Sequence, residues 1–232
     1  MNNNINILCI IPARSGSKGI PNKNIIDFKG KPMIAWSILQ AQKCKYKMKI
    51  IVSTDSSEYA KIANQYGAET PFLRPSEISG DLSTDYECIN HCIKWLNNNQ
   101  NYNPDIILHL RPTQPCRKVE DINKCLELFI HHRDKYDSLR TVIPIDKSPY
   151  KMYLIDDNQL NPLFVNYKNI NEPYNQCRQI LPVCYLHNGY IDILNSNIVS
   201  RGTISGNSIY PYVMNKNDNI DIDYIDDILN II

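Results

Sequence analysis

Three cations, Arg14, Lys18 and Lys23, fall within ten residues of the segment IIPARSGSKGIPNKN (10–24), around two glycines, Gly16 and Gly19. Glycines let backbone N–H groups approach an anion with no Cβ in the way, and nearby lysines and arginines add charge. The chemistry this pattern suits is phosphate binding. The apolar run Ile7 to Ile11 just before it reads as a buried parallel strand, so the loop leaves a strand's C-terminal end. No Gly-Lys-Ser/Thr closes the loop, which excludes a Walker A motif, and the G-x-G-x-x-G dinucleotide spacing is absent. A basic surface turn is the plain alternative. Near the other end of the chain, Asp221 and Asp223 are two residues apart. On an extended segment they face one side, and two hard oxygen ligands facing phosphates suit Mg²⁺. Asp223 is equally placed to cap a final helix, with Asp226 and Asp227 favouring that helix's N-terminus.

The elements that must carry these residues alternate through the first 145 positions. Ile34, Ile38 and Ala41 share a helical face after Gly30 and Pro32; Ile50–Val52 is a second buried strand, and Ser56 or Ser57 can cap the helix after it. Thr70–Leu73 is expected as a short strand. Ile89, Cys92, Ile93 and Leu96 recur at helical spacing, Ile106–Leu108 is a strand, and Ile122, Leu126 and Phe129 mark a helix. Leu139, Thr141, Ile143 and Ile145 alternate like a strand. This β-α-β-α order predicts an α/β fold, a mostly parallel sheet with helices on both faces, in which ligands sit beyond the carboxyl ends of the strands. The loops 12–24, 53–55, 74–85 and 111–117 are therefore the expected site. Residues 146–182 lose periodicity and read as an irregular excursion. Strand patterns return at Gly189–Leu194 and Ile209–Met214, and Ile225, Ile228, Leu229 and Ile232 form the stripe of a last helix.

The 232 residues are 43% hydrophobic, enough for one sizeable domain, residues 1–232, with an arm of about 146–182 inside it. A net charge of +1 predicts no general attraction to nucleic acid or to membranes, so phosphate affinity must be local. The N-terminus lacks a basic n-region and no run reaches the length of a membrane span, so a cytoplasmic location is expected. None of the eight cysteines forms a Cys-x-x-Cys pair, and reduced, mostly buried thiols are expected; Cys88, His91 and Cys92 share a helical turn that suits either a core face or a zinc ligand set.

Ala13-Arg14-Ser15-Gly16-Ser17-Lys18-Gly19 with Lys23-Asn24 resembles the ARxGSKGxxxKN hallmark of the CMP-sugar synthetases, cytidylyltransferases that activate sialic acids, Kdo and related acidic sugars. Further stretches carry the resemblance along the chain: Phe72-Leu73-Arg74-Pro75 with Asp81 and Ser83-Thr84-Asp85, Leu110 to Pro115, Arg178 to Pro182 with Asn188-Gly189, and Asp221-Ile222-Asp223. The resemblance implies a single Rossmann-like nucleotidyltransferase domain with a dimerisation arm. It also implies that CTP and an acidic, sialic-acid-like nonulosonic sugar give CMP-sugar and pyrophosphate. By the same resemblance Arg14, Lys23 and Asp223 are catalytic, and Ala13, Ser15, Gly16, Ser17, Lys18, Asn24, Arg74 and Asp85 join Arg14 and Lys23 around the nucleotide. Arg111, Lys151, Arg178 and Asn188 fall on the sugar side, and Asp221 and Asp223 hold Mg²⁺. A homodimer is implied, in which the arm reaches the neighbour's site. A Kdo-type or other keto-sugar-acid cytidylyltransferase and a non-catalytic nucleotide-binding relative are the alternatives, together with a nucleotidyltransferase for another base, whose G-G-x-G-T-R-type loop this chain lacks.

The departures from the pattern fall on the sugar side. Arg111 stands where the family usually has Gln, His187 and Asp192 where Pro and Tyr are commoner, and Leu186 where Arg is frequent. Arginine only donates and is always charged, so Arg111 is expected either to favour an anionic or acceptor-rich substrate or to pair with an internal acid.

Overall fold

The computed structural model describes residues 5–216, 220–222, 224 and 226–227. Along the chain run β1 (Ile7–Pro12), the hairpin strands β2 (Asp27–Phe28) and β3 (Lys31–Pro32), α1 (Met33–Gln42), β4 (Lys49–Ser53), α2 (Ser57–Gln65) and α3 (Asp85–Gln100). There follow β5 (Ile106–His109), α4 (Val119–His132), β6 (Ser138–Pro144), the short strands β7 (Tyr153–Asp156), β8 (Gln159–Pro162), β9 (Asn166–Tyr167) and β10 (Ile170–Asn171), then β11 (Tyr185–Asn195) and β12 (Ile209–Val213).

The main sheet has the order β12-β6-β11-β5-β1-β4. Only β11 runs antiparallel to its neighbours β5 and β6, so the sheet is mixed but mostly parallel. The apolar run of β1 is buried on both faces because each face meets a helical layer. Ile7, Cys9 and Ile11 pack with Ile34 and Ile38 of α1 and with Ile122 and Phe129 of α4. Leu8 and Ile10 point the other way, to Ile89, Cys92 and Leu96 of α3. Truncating either layer, for example Ile10→Ala, would cost about 2–5 kcal/mol. Cys88 and Cys92 thus belong to a core face. Burial pushes their thiols up in pKa, as it does those of Cys9 and Cys125.

Local chemistry fixes the helix starts. Ser56 caps α2 by accepting from the Tyr59 N–H at 3.4 Å. Thr84 and Glu87 form a reciprocal capping box at the start of α3, which sets Asp85 in the first turn, where a carboxylate is favoured.

Two expectations are corrected. Thr70–Leu73 is not a strand: the neighbouring Glu69 makes a single bridge to Ile51, and Pro71 and Pro75 withhold the donors a ladder needs. The 146–182 segment is not irregular throughout, since it folds into the antiparallel pairs β7–β8 and β9–β10. Tyr150 is buried between Phe164 and Tyr167, each ring 4.7 Å away, while Leu154, Ile155 and Leu160 point outward, 62–77% exposed. The stripe of the expected last helix, Ile225, Ile228, Leu229 and Ile232, lies outside the described residues, while Asp226 and Asp227 between them are helical. No helix among the described residues is long and apolar enough to cross a membrane.

Candidate active site

Beyond the carboxyl ends of β1, β4 and β5 lies a cleft lined by Arg14, Ser17, Lys23, Asn24 and Arg74 on one wall and by Ser83, Thr84, Asp85, Arg111, Pro112 and Thr113 on the other. The four loops expected from strand polarity contribute, with one difference: loop 53–55 acts from beneath. Ala13 is buried and continues β1, its N–H donating to the Ser53 carbonyl at 2.9 Å. Asp55 then takes both the N–H and the hydroxyl of Ser15, each at 2.8 Å, and so pins the start of the Gly-rich turn. Asn24 donates to the Arg14 carbonyl at 2.9 Å and closes the turn from its far end. Gly16 sits beside Arg14: a Cβ there would lie 3.8 Å from its Nη1. Lys18 stands out in solvent and reaches Asp81 at 2.6 Å.

Arg74 is 6% exposed, yet its Nε and Nη2 have no hydrogen-bond partner among the described residues. Its backbone is held by the Thr54 carbonyl at 2.7 Å. A buried guanidinium with idle donors on a cleft wall is costly unless something polar enters the cleft to meet them.

The opposite wall is a network of charges. Arg111 bridges Asp85 and Asp192, each at 2.7 Å, and Asp192 also meets His187 at 2.8 Å. Of the two expectations for Arg111, pairing with internal acids is the one observed. Gly189, at φ +64°, allows this approach, since a Cβ would sit 3.3 Å from Arg111 Nη1. Burial alone would raise the Asp192 pKa, but the His187 hydrogen bond and the Arg111 charge hold it well below the usual carboxylate range. Beneath them His109 lies 3.8 Å from both Asp85 and Asp192. Burial first, and the Arg111 charge second, push its pKa down to about 4. Arg117 is fully buried and binds the carbonyls of Tyr190 and Arg111 and the side chains of Ser37 and Gln40, tying this wall to α1.

Not every expected residue comes to the cleft. Asn188 is buried in the gap where β11 breaks register between His187 and Asp192. Its Oδ1 accepts from Thr141 at 2.7 Å and its carbonyl from Gln114 at 2.9 Å, so the side chain is spent inside the fold rather than on the cleft wall. Lys151 and Arg178 line a different cavity with Asp146, Ser148 and Met152 at the base of the arm. Lys151 donates there to the Tyr174 carbonyl at 3.2 Å. Asp223 lies outside the described residues. Its neighbour Ile222 is buried against Ile20, Phe28 and Met33 and donates to the Thr113 carbonyl, on the cleft wall, at 2.9 Å; Asp221, just before it, is exposed. An exposed carboxylate next in sequence to that contact is of a type that suits a hard, hydrated divalent ion.

His109 lies outside the loops expected to form the site, whereas Asp55, Asp81 and Arg117 fall within the expected loops 53–55, 74–85 and 111–117, Asp81 also within the motif that follows Arg74.

Residues 8–189 match the family described as Cytidylyltransferase. The chain is 32% identical over 219 residues to post-translational flagellin modification protein B of Campylobacter coli, covering 94% of this chain and 89% of that one. It is 37% identical over 155 residues to a pseudaminic acid cytidylyltransferase of Campylobacter jejuni, covering 66% of this chain and 65% of that one. It is 31% identical over 218 residues to the N-acylneuraminate cytidylyltransferase of Escherichia coli; that match covers 94% of this chain but only 49% of the relative, so the chain spans about half its length. Among solved structures, CMP:2-keto-3-deoxy-manno-octonic acid synthetase complexed with CTP superposes with a TM-score of 0.70 over 97% of this chain and 96% of that one, at 15% identity, a likeness of fold.

Proposed function

From the premise that the chain belongs to the cytidylyltransferase family, we propose that it joins CTP to an acidic nonulosonic, sialic-acid-like sugar, releasing pyrophosphate. The anomeric hydroxyl attacks the α-phosphorus, the bond to the β-phosphate oxygen breaks, and the electron pair leaves with pyrophosphate. Such a reaction needs positioning and cationic stabilisation more than covalent help from the protein. Arg14, Lys18 and Lys23, with the amides of Ser15 to Lys18, receive the triphosphate, and Asp55 and Asn24 hold that turn in shape. The observation that carries the reading is Arg74: it lines the same cleft as Arg14 and Lys23, where a base or ribose would sit, and keeps two buried donors without a partner among the described residues. Asn24 also faces that cleft.

Asp221 and Asp223 would hold Mg²⁺, which on binding would draw charge from the phosphates. Arg111 and Asp85 present the sugar with a fixed donor beside an acceptor. Lys151 and Arg178, which share a cavity apart from the cleft, fit a homodimer in which the arm serves the neighbouring subunit's sugar carboxylate. The outward apolar side chains of β7 and β8 support such a contact. A cytoplasmic enzyme is the matching location.

The test is pyrophosphate release from CTP and Mg²⁺ with a panel of purified sugar acids. Turnover with pseudaminic, legionaminic or N-acylneuraminic acid is expected. Turnover confined to Kdo would move the substrate to a shorter keto-sugar acid, and CTP binding without turnover on any acid would make the chain a nucleotide-binding relative.

A further inference from the structure

Asp81 lies at the tip of the loop that follows Arg74, and its carboxylate reaches across the cleft mouth to two cations of the Gly-rich turn. Its Oδ1 accepts from Arg14 Nη1 at 2.9 Å and its Oδ2 meets Lys18 Nζ at 2.6 Å. A carboxylate that chelates two cations with its two oxygens is what one edge of a phosphate offers them. The tip that carries it is otherwise loosely packed: Leu82, the next residue, is 96% exposed, and Ser83 N–H turns back to the Gly80 carbonyl within the loop. By contrast the root of the loop is fixed through Arg74 and Thr54, and its end through the Thr84–Glu87 capping box. The anchors are thus at both ends and the acid is in the span between them.

We infer that Asp81 is a positioning residue that stands in for the triphosphate: it keeps Arg14 and Lys18 converged in the empty site and is exchanged for phosphate oxygens when nucleotide enters. The inference rests on the proposed reading of the Gly-rich turn as the triphosphate site. Two consequences follow from the geometry. Binding of any ligand with a pyrophosphate group must break both ion pairs, so the acid lowers affinity for CTP and for pyrophosphate alike. Return of Asp81 to the same two cations favours departure of pyrophosphate after the chemical step. Because all three side chains are partly or largely open to solvent, the competition is modest.

The experiment is calorimetric titration of CTP, pyrophosphate and cytidine, at one fixed salt concentration, into the wild-type chain, Asp81→Asn and Asp81→Glu. Asp81→Asn is expected to bind CTP and pyrophosphate about threefold to tenfold more tightly, the scale of two exposed ion pairs. Cytidine, which has no phosphate, should bind as to wild type, and Asp81→Glu should stay near wild type. Weaker or unchanged CTP and pyrophosphate binding by Asp81→Asn, or a cytidine shift as large as that for CTP, would overturn the inference. A wild-type chain that takes pyrophosphate but not CTP would remove the nucleotide reading while leaving this one to stand or fall on the pyrophosphate titration.

Discussion

The two walls of the cleft are built on opposite plans. On the Gly-rich wall, Arg74 holds two donors without a partner among the described residues, and Arg14 and Lys18 meet Asp81 across the cleft mouth, on the exposed span between Arg74 and α3. The Arg111 wall has already neutralised itself, with one guanidinium shared between Asp85 and Asp192 and His187 behind. A wall with unspent donors supplies affinity for an anion. A wall whose charges are paired internally supplies shape and a fixed pattern of donors and acceptors, and so discriminates between ligands more than it attracts them.

Mutation should separate the walls. Arg14→Ala on the open wall is expected to lower kcat/KM for CTP by about 10²–10³-fold, as loss of one charge-stabilising donor does elsewhere. Steady-state pyrophosphate release measures this, and a loss of less than about threefold would place Arg14 outside the chemistry. Arg111→Gln on the paired wall should instead act on stability and on the sugar. It strands the buried Asp192 with His187 as partner, at a cost of about 2–3 kcal/mol in denaturant unfolding, and adding Asp192→Asn should restore part of that. Its KM for the sugar should move by about tenfold while that for CTP stays within about threefold. The reverse split would exchange the roles of the two walls.

The smallest effect expected is a pH dependence of the paired wall. His109 titrates near 4 in the folded chain against 6.5 ordinarily, because burial disfavours its charged form. Between those values the unfolded chain binds a proton that the folded chain refuses, so stability falls as pH drops from about 6.5 toward about 4. Melting at pH 5 against pH 7 should show a loss on the order of 1–2 kcal/mol, and His109→Asn should flatten it. Asp192, held low by its partners, adds its own loss only further down, below the ordinary carboxylate range.

The difference between the walls also explains what could be read from the chain itself. The open wall is written in contiguous residues: Arg14 to Asn24 state their chemistry by type and spacing, and strand polarity places them. The paired wall depends on partners 26 and 81 positions apart in sequence, Arg111 with Asp85 and with Asp192, and no local pattern reports such pairings. The place of Asn188 is hidden for the same reason. It stands in a suggestive Asn-Gly pair, but the register break of β11 turns it into the sheet, where Thr141 takes it. Thr70–Leu73 has strand-like residues, but Pro71 within it and Pro75 just beyond it overrule them. The sheet itself was legible because β1, β4 and β5 are runs buried on both faces, while the reversal of β11 was not, since a strand's direction leaves no mark on its composition.

The account turns on the open wall being a nucleotide triphosphate site. Calorimetric titration of CTP with Mg²⁺ into the freshly folded chain, beside Arg74→Met, tests this most directly. Saturable binding by the wild-type chain, weakened at least about tenfold in the variant, is the predicted result. No heat from the wild-type chain, or equal binding by both, would contradict it.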